Sequence, residues 1–433
     1  MSAARSCMSM RSPAMNCRRA RRNARSAPSR FPAAASDAGM VIGTSVNGGD
    51  GCLPDDMHAT ISIMLHNVAA RRRHDRVRRA MSPYRLGLIG HGTWPSMFTL
   101  PGVRANEGVE LVAVAGRRLD GAREFASLWE IPDAYDDIDA MLDAAALDGV
   151  VIASPPAAHP YAVRAAAARG VDLLCEKPIA LDSVLSAATT AAAEPVNALV
   201  GFTARWLPRV RQFRDLVRSG RIGRLLHADV DYVHTSASSP DAPWSWRFDR
   251  TAEPYGVLSD LGPHALDLVR WTVGEPRRIR AQGEIRIGER RAEGGTLMAV
   301  ENFDAVQAEI ECVDGATARI AVSRVEPSAT ARMSVTAYGD GGVAHVDFVA
   351  AERCWLRAHE DDRIVRWAEP DDFRSQLRAA AAGQISDLVA MRREERRRGD
   401  LPEMIDGHRV QVLIDATALS VAHGGPIVLE PHV

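Results

Sequence analysis

One basic residue of this sequence differs from all the others. Lysine and arginine together contribute 53 of the 433 residues, and Lys177 is the single lysine among them. Because arginine serves wherever only a positive charge is needed, we expect Lys177 to be kept for its compact, titratable amine on a flexible stem. Such an amine can stabilise a negative charge that develops on a reacting oxygen. The alternative is that Lys177 has persisted by chance on a surface that only faces water.

A second group of residues with chemical potential lies in the segment Asp260-Leu261-Gly262-Pro263-His264-Ala265-Leu266-Asp267. The Gly-Pro pair predicts the start of a helix, with proline in its first turn. The positive end of the helix dipole would lower the pKa of His264 and keep the imidazole neutral, ready to accept a proton. We predict that Asp267, one turn later, orients the ring. A single histidine in an apolar helix is usually structural, but the two flanking aspartates favour catalysis here.

The element that must position the lysine is the apolar run from Val171 to Cys175, which predicts a buried parallel strand. A residue that follows the carboxyl end of such a strand points into the ligand crevice of an open α/β sheet. Glu176 and Lys177 follow this strand, so we expect both to contact a cofactor and Lys177 also to contact the substrate.

A turn typical of dinucleotide binding follows the first predicted strand, Arg85–Ile89, in the order Gly90-His91-Gly92-Thr93-Trp94-Pro95. Gly90 permits a tight turn, and Gly92 lets backbone amides approach a pyrophosphate at the start of a helix. Further strands at 111–115 and 149–153 give the turn the context of a parallel sheet. We therefore predict cofactor contacts at Gly90, Gly92, Thr93 and Trp94.

The end of the second strand bears on the choice of cofactor. An acidic residue there would hold both ribose hydroxyls of NAD, but the sequence reads Gly116-Arg117-Arg118. These residues leave room for a 2′-phosphate and supply cations to bind it, so the pattern favours NADP over NAD. The alternative is that the two arginines only cover the surface.

Two further segments could contact ligands. The loop Ser154-Pro155-Pro156-Ala157-Ala158-His159 should lie near the nicotinamide, with Ser154, Pro155 and His159 as candidates. His159 could instead be a structural histidine at a helix start. Trp246 and Arg247 suit the wall of a cleft that binds a polar ligand, although the tryptophans Trp244 and Trp246 could equally form a core patch.

The first 80 residues differ in composition from the rest. They contain fourteen arginines and five aspartates, whereas the whole chain has a net charge of -2. Their Ala, Ser, Arg, Pro and Gly content predicts a disordered basic leader, or a chain that starts near Met81. We expect residues 81–203 to form a Rossmann domain and residues 204–433 a second α/β domain, whose last helices pack back on the first.

The overall composition excludes several classes of protein. The near-neutral charge predicts no nucleic-acid partner, and no apolar run is long enough to span a membrane. The six cysteines form no CxxC pair and no Cys/His cluster, so neither a disulfide framework nor a metal site is expected. A reducing cytoplasm fits this pattern.

Strand and turn signals dominate the sequence from Arg278 to Val349. They predict a largely antiparallel open sheet, with one face covering the cofactor cleft. The other face, expected to be flat and half apolar, is a candidate surface for a homo-oligomer.

Together, these motifs resemble the Gfo/Idh/MocA oxidoreductases. The resemblance spans about residues 84–430. Pro95 in the glycine turn and Glu253-Pro254-Tyr255-Gly256 depart from the family pattern. The motifs that carry the resemblance are Gly90-x-Gly92, Pro155-Pro156 with His159, Glu176-Lys177-Pro178, and Asp260-x-Gly262-x-His264-x-x-Asp267.

The resemblance implies a Rossmann domain followed by an α/β domain built on an open, mainly antiparallel sheet, with oligomerisation through that sheet. It also implies NAD(P)-dependent oxidation or reduction of a sugar or polyol, with Lys177, Asp260 and His264 as the catalytic centre. The bond before Pro178 would then be cis. Two alternatives stay open: an NAD-dependent glycosidase on the same scaffold, and a regulator that senses a dinucleotide or sugar without reacting.

Overall fold

The computed structural model describes residues 82–327, 331–358, 364–368, 372–394 and 399–430. The two predictions for residues 1–80, a disordered leader or a later start, concern a segment outside these ranges. Within the described ranges, no helix combines the length and the apolarity that crossing a bilayer requires.

The first sheet has six parallel strands in the order β3-β2-β1-β4-β5-β6, which is the order of a Rossmann fold. The central strands are runs of Val, Ile, Leu and Ala that are buried on both faces, as a parallel sheet with helices on either side requires. The predicted Rossmann domain is therefore confirmed. Its strands are β1 (Tyr84–Ile89), β2 (Val109–Ala115), β3 (Asp133–Tyr135), β4 (Gly149–Ile152), β5 (Asp172–Cys175) and β6 (Ala198–Val200).

Short helices connect these strands. A π-helical turn, Pro95–Thr99, precedes the first of them, and proline is tolerated at its start because the N–H that it lacks would have no partner within the turn. Two later helices begin at an aspartate, Asp137 or Asp182, whose side chain accepts a backbone hydrogen bond. The helices are α1 (Leu100–Arg104), α2 (Leu119–Trp129), α3 (Ile138–Ala144), α4 (His159–Ala167) and α5 (Ser183–Ala193).

The second sheet has nine strands in the order β16-β15-β14-β13-β7-β12-β11-β8-β17. Only the β7–β12 pair is parallel, so the predicted open, mainly antiparallel sheet is confirmed. Two short strands, β9 (Glu289–Arg291) and β10 (Leu297–Ala299), form a separate hairpin. The nine strands are β7 (Leu225–Val233), β8 (Pro276–Glu284), β11 (Ala305–Cys312), β12 (Thr317–Ser323), β13 (Arg332–Gly339), β14 (Gly342–Asp347), β15 (Trp355–Ala358), β16 (Ile364–Arg366) and β17 (Ile427–Val428).

One face of the second sheet is covered by helices, and these also reach the first sheet. The helix that contains His264 packs on β7 and β12, and the last helix packs on β8, β6 and α5. The burial of these apolar faces places the carboxyl end of β5 next to the start of the His264 helix. The helices are α6 (Pro208–Arg218), α7 (Val257–Asp260), α8 (Gly262–Thr272), α9 (Phe373–Arg392) and α10 (Met404–His423).

The opposite face of the second sheet corrects a prediction for one part of that face. Strand β8 alternates buried Ile279 with exposed Arg278 and Arg280, so along this strand the open face is charged rather than apolar. Arg319 and Asp229 form an ion pair on this face at 2.8 Å. The alternation of charged and apolar residues was readable from the sequence. Oligomerisation through this face stays a prediction.

Candidate active site

A cavity of about 640 Å³ lies where the carboxyl edge of the first sheet meets helices α7 and α8. This size and place are typical of a ligand site in an open α/β sheet. The cavity wall includes most of the residues predicted to act in the site: Gly90, Gly92, Thr93, Trp94, Ser154, Pro155, Glu176, Lys177, Trp246, Arg247, Asp260 and His264.

Lys177 is joined to Asp260 across the boundary between the two sheets. The lysine follows β5, and its peptide bond to Pro178 is cis. Its Nζ donates to the backbone oxygen of Asp260 at 2.6 Å and to Oδ1 of the same residue at 3.2 Å. The structure therefore brings together two residues that lie far apart in the sequence.

The carboxyl group of Asp260 is held ionised. Desolvation in the cavity alone would raise its pKa, but the charges of Lys177 and Arg247 outweigh this effect and lower the pKa to about 2. Arg247 approaches Asp260 Oδ2 at 3.8 Å, and its guanidinium lies over the ring of Trp246 at 4.4 Å. Both residues predicted for the cleft wall thus belong to the surroundings of Asp260.

His264 is buried at the start of α8 and kept neutral. Burial lowers its pKa well below the usual value, and the positive charge of Lys177 adds to this effect. The direction agrees with the prediction, and burial is a larger cause than the charge of Lys177. The ring stacks on Tyr232, with centroids 5.2 Å apart.

The prediction that Asp267 orients this ring is wrong. Both of its carboxylate oxygens accept hydrogen bonds from Arg205, at 2.9 and 2.6 Å. Arg205 lies in the 3-10 helix Thr203–Trp206, whose contact with α8 could not be read from the sequence. Nδ1 of His264 has no hydrogen-bond partner among the described residues.

The glycine turn has the shape that a dinucleotide needs. Gly90 has a φ of 98°, and a Cβ there would lie 2.7 Å from the backbone of Ala153. The corresponding position at Gly92 faces open space, so its backbone remains accessible. These two observations fit the phosphate-binding turn of a Rossmann domain.

Trp94 and Glu176 form a hydrogen bond across the cavity wall, with 2.7 Å between Trp94 Nε1 and Glu176 Oε1. Burial raises the pKa of Glu176 to about 7, while Lys177 and Trp94 act in the opposite direction. Gly201 leaves the space for this carboxyl group, because a Cβ there would lie 2.7 Å from Oε2.

Three of the predicted cofactor residues lie outside the cavity wall. His159 is buried behind it, and its ring nitrogens are 2.8 Å from the backbone oxygens of Pro178 and Ser154. This position favours the structural alternative for His159. Arg117 and Arg118 are exposed after β2, and the described residues provide neither guanidinium with an ion pair.

Four buried side-chain atoms in the cavity wall have no hydrogen-bond partner within the described ranges. Buried polar groups in folded proteins are nearly always paired, so this concentration indicates a polar ligand. His234 and Glu253 were not among the predicted site residues, and the signal for Glu253 in the sequence is its departure from the family pattern. The atoms are Ser154 Oγ, His234 Nε2, Glu253 Oε2 and His264 Nδ1.

A Rossmann sheet with a polar cavity at its carboxyl edge defines a class of dinucleotide-binding enzymes. The sequence matches the model described as "Oxidoreductase family, NAD-binding Rossmann fold" over residues 84–202, and that of the GFO/IDH/MocA C-terminal domain over residues 210–345. The chain therefore belongs to the Gfo/Idh/MocA oxidoreductase family. This finding confirms the resemblance and the prediction of an oxidoreductase.

Individual proteins extend the similarity over most of the described chain. The rhizopine catabolism protein MocA of Rhizobium meliloti is 29% identical over 322 residues, which are 72% of this chain and 92% of that protein. Inositol 2-dehydrogenase of Rhizobium meliloti strain 1021 is 27% identical over 344 residues, 78% of this chain and 97% of the relative. A solved structure of levoglucosan dehydrogenase with NADH and L-sorbose shares the fold, with a TM-score of 0.72 at 23% identity over 82% of this chain and 100% of that one.

Proposed function

We propose that this protein is an NAD(P)-dependent dehydrogenase that acts on a carbinol carbon of a sugar or polyol. The observation that carries the proposal is that Lys177, Asp260 and His264 line one cavity, in which Lys177 is bonded to Asp260. The wall of this cavity also contains buried polar atoms without a hydrogen-bond partner among the described residues. The names of two relatives, inositol 2-dehydrogenase and levoglucosan dehydrogenase, support the substrate class. Neither the family description nor these relatives support the glycosidase or the sensor.

The residues present fit a dinucleotide. The open side of Gly92 and the positive φ of Gly90 suit a pyrophosphate, and the unpartnered Ser154 Oγ lies further along the same cavity. When bound, a nicotinamide supplies the acceptor or donor of the hydride. The protein supplies orientation and the control of the proton.

In the oxidative direction, the neutral imidazole of His264 takes the proton of the substrate hydroxyl. The ammonium of Lys177 stabilises the negative charge that develops on that oxygen. Asp260 holds the lysine through two contacts, so that the amine stays at the cavity wall. In the reductive direction the same groups return the proton.

We also propose that NADP is preferred over NAD. A Cβ at Gly116 would lie 2.2 Å from the ring of His91, so a side chain at the position that usually carries an acidic residue would have to displace this ring. Arg117 and Arg118 are exposed immediately beyond it and can bind a 2′-phosphate. Replacing both with alanine should weaken NADPH binding at least about tenfold more than NADH binding, in fluorescence titrations.

The test of the function is a screen of nicotinamide absorbance with NAD and NADP against neutral sugars and polyols. We expect turnover in the wild type and a fall of at least about 100-fold in Lys177→Arg, the usual scale for a positioned acid–base group, with cofactor binding retained. Wild-type turnover in the variant would remove Lys177 from the mechanism. Absence of turnover with every compound and both cofactors would refute the function.

A further inference from the structure

We propose that Glu253 binds the substrate, that it accepts a hydrogen bond from a hydroxyl group other than the reacting one, and that it selects neutral sugars and polyols over sugar acids. This inference rests on the proposed function and specifies its substrate. It concerns the segment Glu253-Pro254-Tyr255-Gly256, where this chain departs from the pattern of its family.

The position of Glu253 indicates a ligand rather than a role in the fold. Its side chain is in the cavity wall, and only 4% of the residue is exposed. Oε2 has no hydrogen-bond partner within the described ranges. A buried acceptor without a partner costs free energy, so the fold alone gives no reason for a glutamate here.

The backbone at Glu253 is fixed, which holds the carboxyl group against the cavity. Its carbonyl oxygen accepts a hydrogen bond from Asn302 Nδ2 at 2.7 Å, and its N–H donates to the oxygen of Asp249 at 2.9 Å. Gly256 has a φ of 57°, and a Cβ there would lie 2.5 Å from the oxygen of Phe303. A ligand would therefore meet a preformed wall.

The nearby cations already have oxygen partners. Lys177 donates to Asp260, and Arg247 lies 3.8 Å from the same carboxylate. Arg324 is bonded to Asp304 at 3.0 Å and to Asn302 at 2.8 Å. A carboxylate on the ligand would lie near the carboxyl groups of Glu253 and Asp260, while the cations close by are already paired with oxygen atoms of the protein. The resulting repulsion disfavours sugar acids.

A hydroxyl group suits Glu253 in both protonation states. Burial raises the pKa of Glu253 to about 7, and the charge of Asp260 adds to the rise, while Lys177, Arg247 and Arg324 oppose it. Both forms therefore occur near neutral pH. A hydroxyl can donate to the carboxylate and can also accept from the protonated acid, whereas an ammonium can only donate.

The experiment compares the full-length wild type with Glu253→Ala and Glu253→Gln, using myo-inositol, D-glucose and D-xylose as neutral probes and D-gluconate and D-glucuronate as acids. With the neutral compound that the wild type turns over, Glu253→Ala should raise KM about 10- to 100-fold and change kcat less than about threefold. Glu253→Gln keeps a carbonyl acceptor of the same shape and should raise KM less. The dissociation constant of NAD(P)H, from fluorescence titration, should not change.

Exposed Glu301, close by in the same region, provides the matched control, and Glu301→Gln should leave KM unchanged. An unchanged KM in Glu253→Ala would overturn the proposal, and so would wild-type turnover confined to the acids. Both results would leave the oxidoreductase function in place. Failure of the wild type with all five compounds would instead count against the proposed function and this inference together.

A second measurement needs no substrate. Because no described residue bonds Oε2, ligand-free Glu253→Gln should melt at the wild-type temperature or above it. A melting temperature several degrees lower, about 1 kcal/mol or more of lost stability, would show a structural role and overturn the proposal.

Discussion

Helix α8 has a cavity side at its first turn and a packed side at its later turns, and the two differ in how their buried polar groups are paired. Facing the cavity, Nδ1 of His264 has no partner among the described residues. One turn later, Asp267 accepts two hydrogen bonds from Arg205, and Arg270 forms an ion pair with Asp406 at 3.0 Å. Unpaired groups on one side indicate a ligand, whereas paired groups on the other side stabilise the fold.

The ion pairs of Asp267 and Arg270 also explain how His264 is positioned. Arg205 follows the first sheet, and Asp406 belongs to the last long helix, α10. Through Asp267 and Arg270, both segments fix α8, and with it His264, relative to the strand that precedes Lys177. The comparison therefore separates residues whose loss should affect catalysis from those whose loss should affect stability.

The largest effect is expected for His264→Asn. Without this imidazole, the base assigned to the reacting hydroxyl is lost, and kcat should fall about 10²- to 10⁴-fold. The free energy of unfolding should fall by about 1 kcal/mol, the scale of the lost ring contact with Tyr232, since Nδ1 has no hydrogen-bond partner among the described residues. Steady-state kinetics and urea denaturation measure the two quantities. A variant that unfolds at much lower urea would place His264 with the structural side of the helix.

Asp267→Asn should have the opposite profile. It removes the negative charge opposite a buried guanidinium, so the free energy of unfolding should fall by about 3 kcal/mol. Urea denaturation with an unchanged m-value checks this. A change below about 1 kcal/mol would contradict the assignment of this side of α8 to the fold.

A pH effect is expected from Glu253, which shares the unpaired character of His264. Its folded pKa of about 7 lies above the usual 4.5, so between these values the folded protein holds a proton that the unfolded chain has lost. The contribution of this group to stability is therefore greatest at low pH and is lost as pH rises through about 7. Glu253→Gln should flatten the fall in melting temperature from about pH 5 to 8. Part of the fall in melting temperature should remain in the variant, because the pKa of Glu176 is raised as well. If the melting temperatures of variant and wild type fall equally with pH, the raised pKa of Glu253 is contradicted.

The smallest effect is expected on the open face of the second sheet. Arg319 and Asp229 are paired at 2.8 Å, but the arginine side chain is 44% exposed. Arg319→Ala should therefore lower the free energy of unfolding by about 1 kcal/mol or less. If the free energy of unfolding falls as far as in Asp267→Asn, the contribution of an ion pair to stability depends on the pairing and not on its burial.

Local patterns allowed much of the fold and part of the site to be predicted. The apolar run before Lys177, the glycine turn and the Gly-Pro pair before His264 each indicate an element from adjacent residues. The partner of Asp267 could not be predicted, because Arg205 is 62 residues away and reaches it only through the packing of the 3-10 helix Thr203–Trp206 against α8.

Glu253 illustrates the same limit. Nothing near it in the sequence shows that its carboxyl group is buried in the cavity, since that depends on how the second domain closes over the first sheet. The charge of the open face is a different case. The alternation of Arg278, Ile279, Arg280 and Ala281 in β8 indicates exposed charges along that strand, and this pattern lies in adjacent residues of the sequence.

The most direct test of the central claim, that Lys177 and His264 act on one substrate oxygen, is a double-mutant cycle on kcat. Lys177→Arg, His264→Asn and the double variant are compared with the polyol that the wild type turns over. Because groups that act as a unit are non-additive, the double variant should be no more than about tenfold slower than the slower single variant. A double variant whose loss equals the product of the two single losses would contradict the claim.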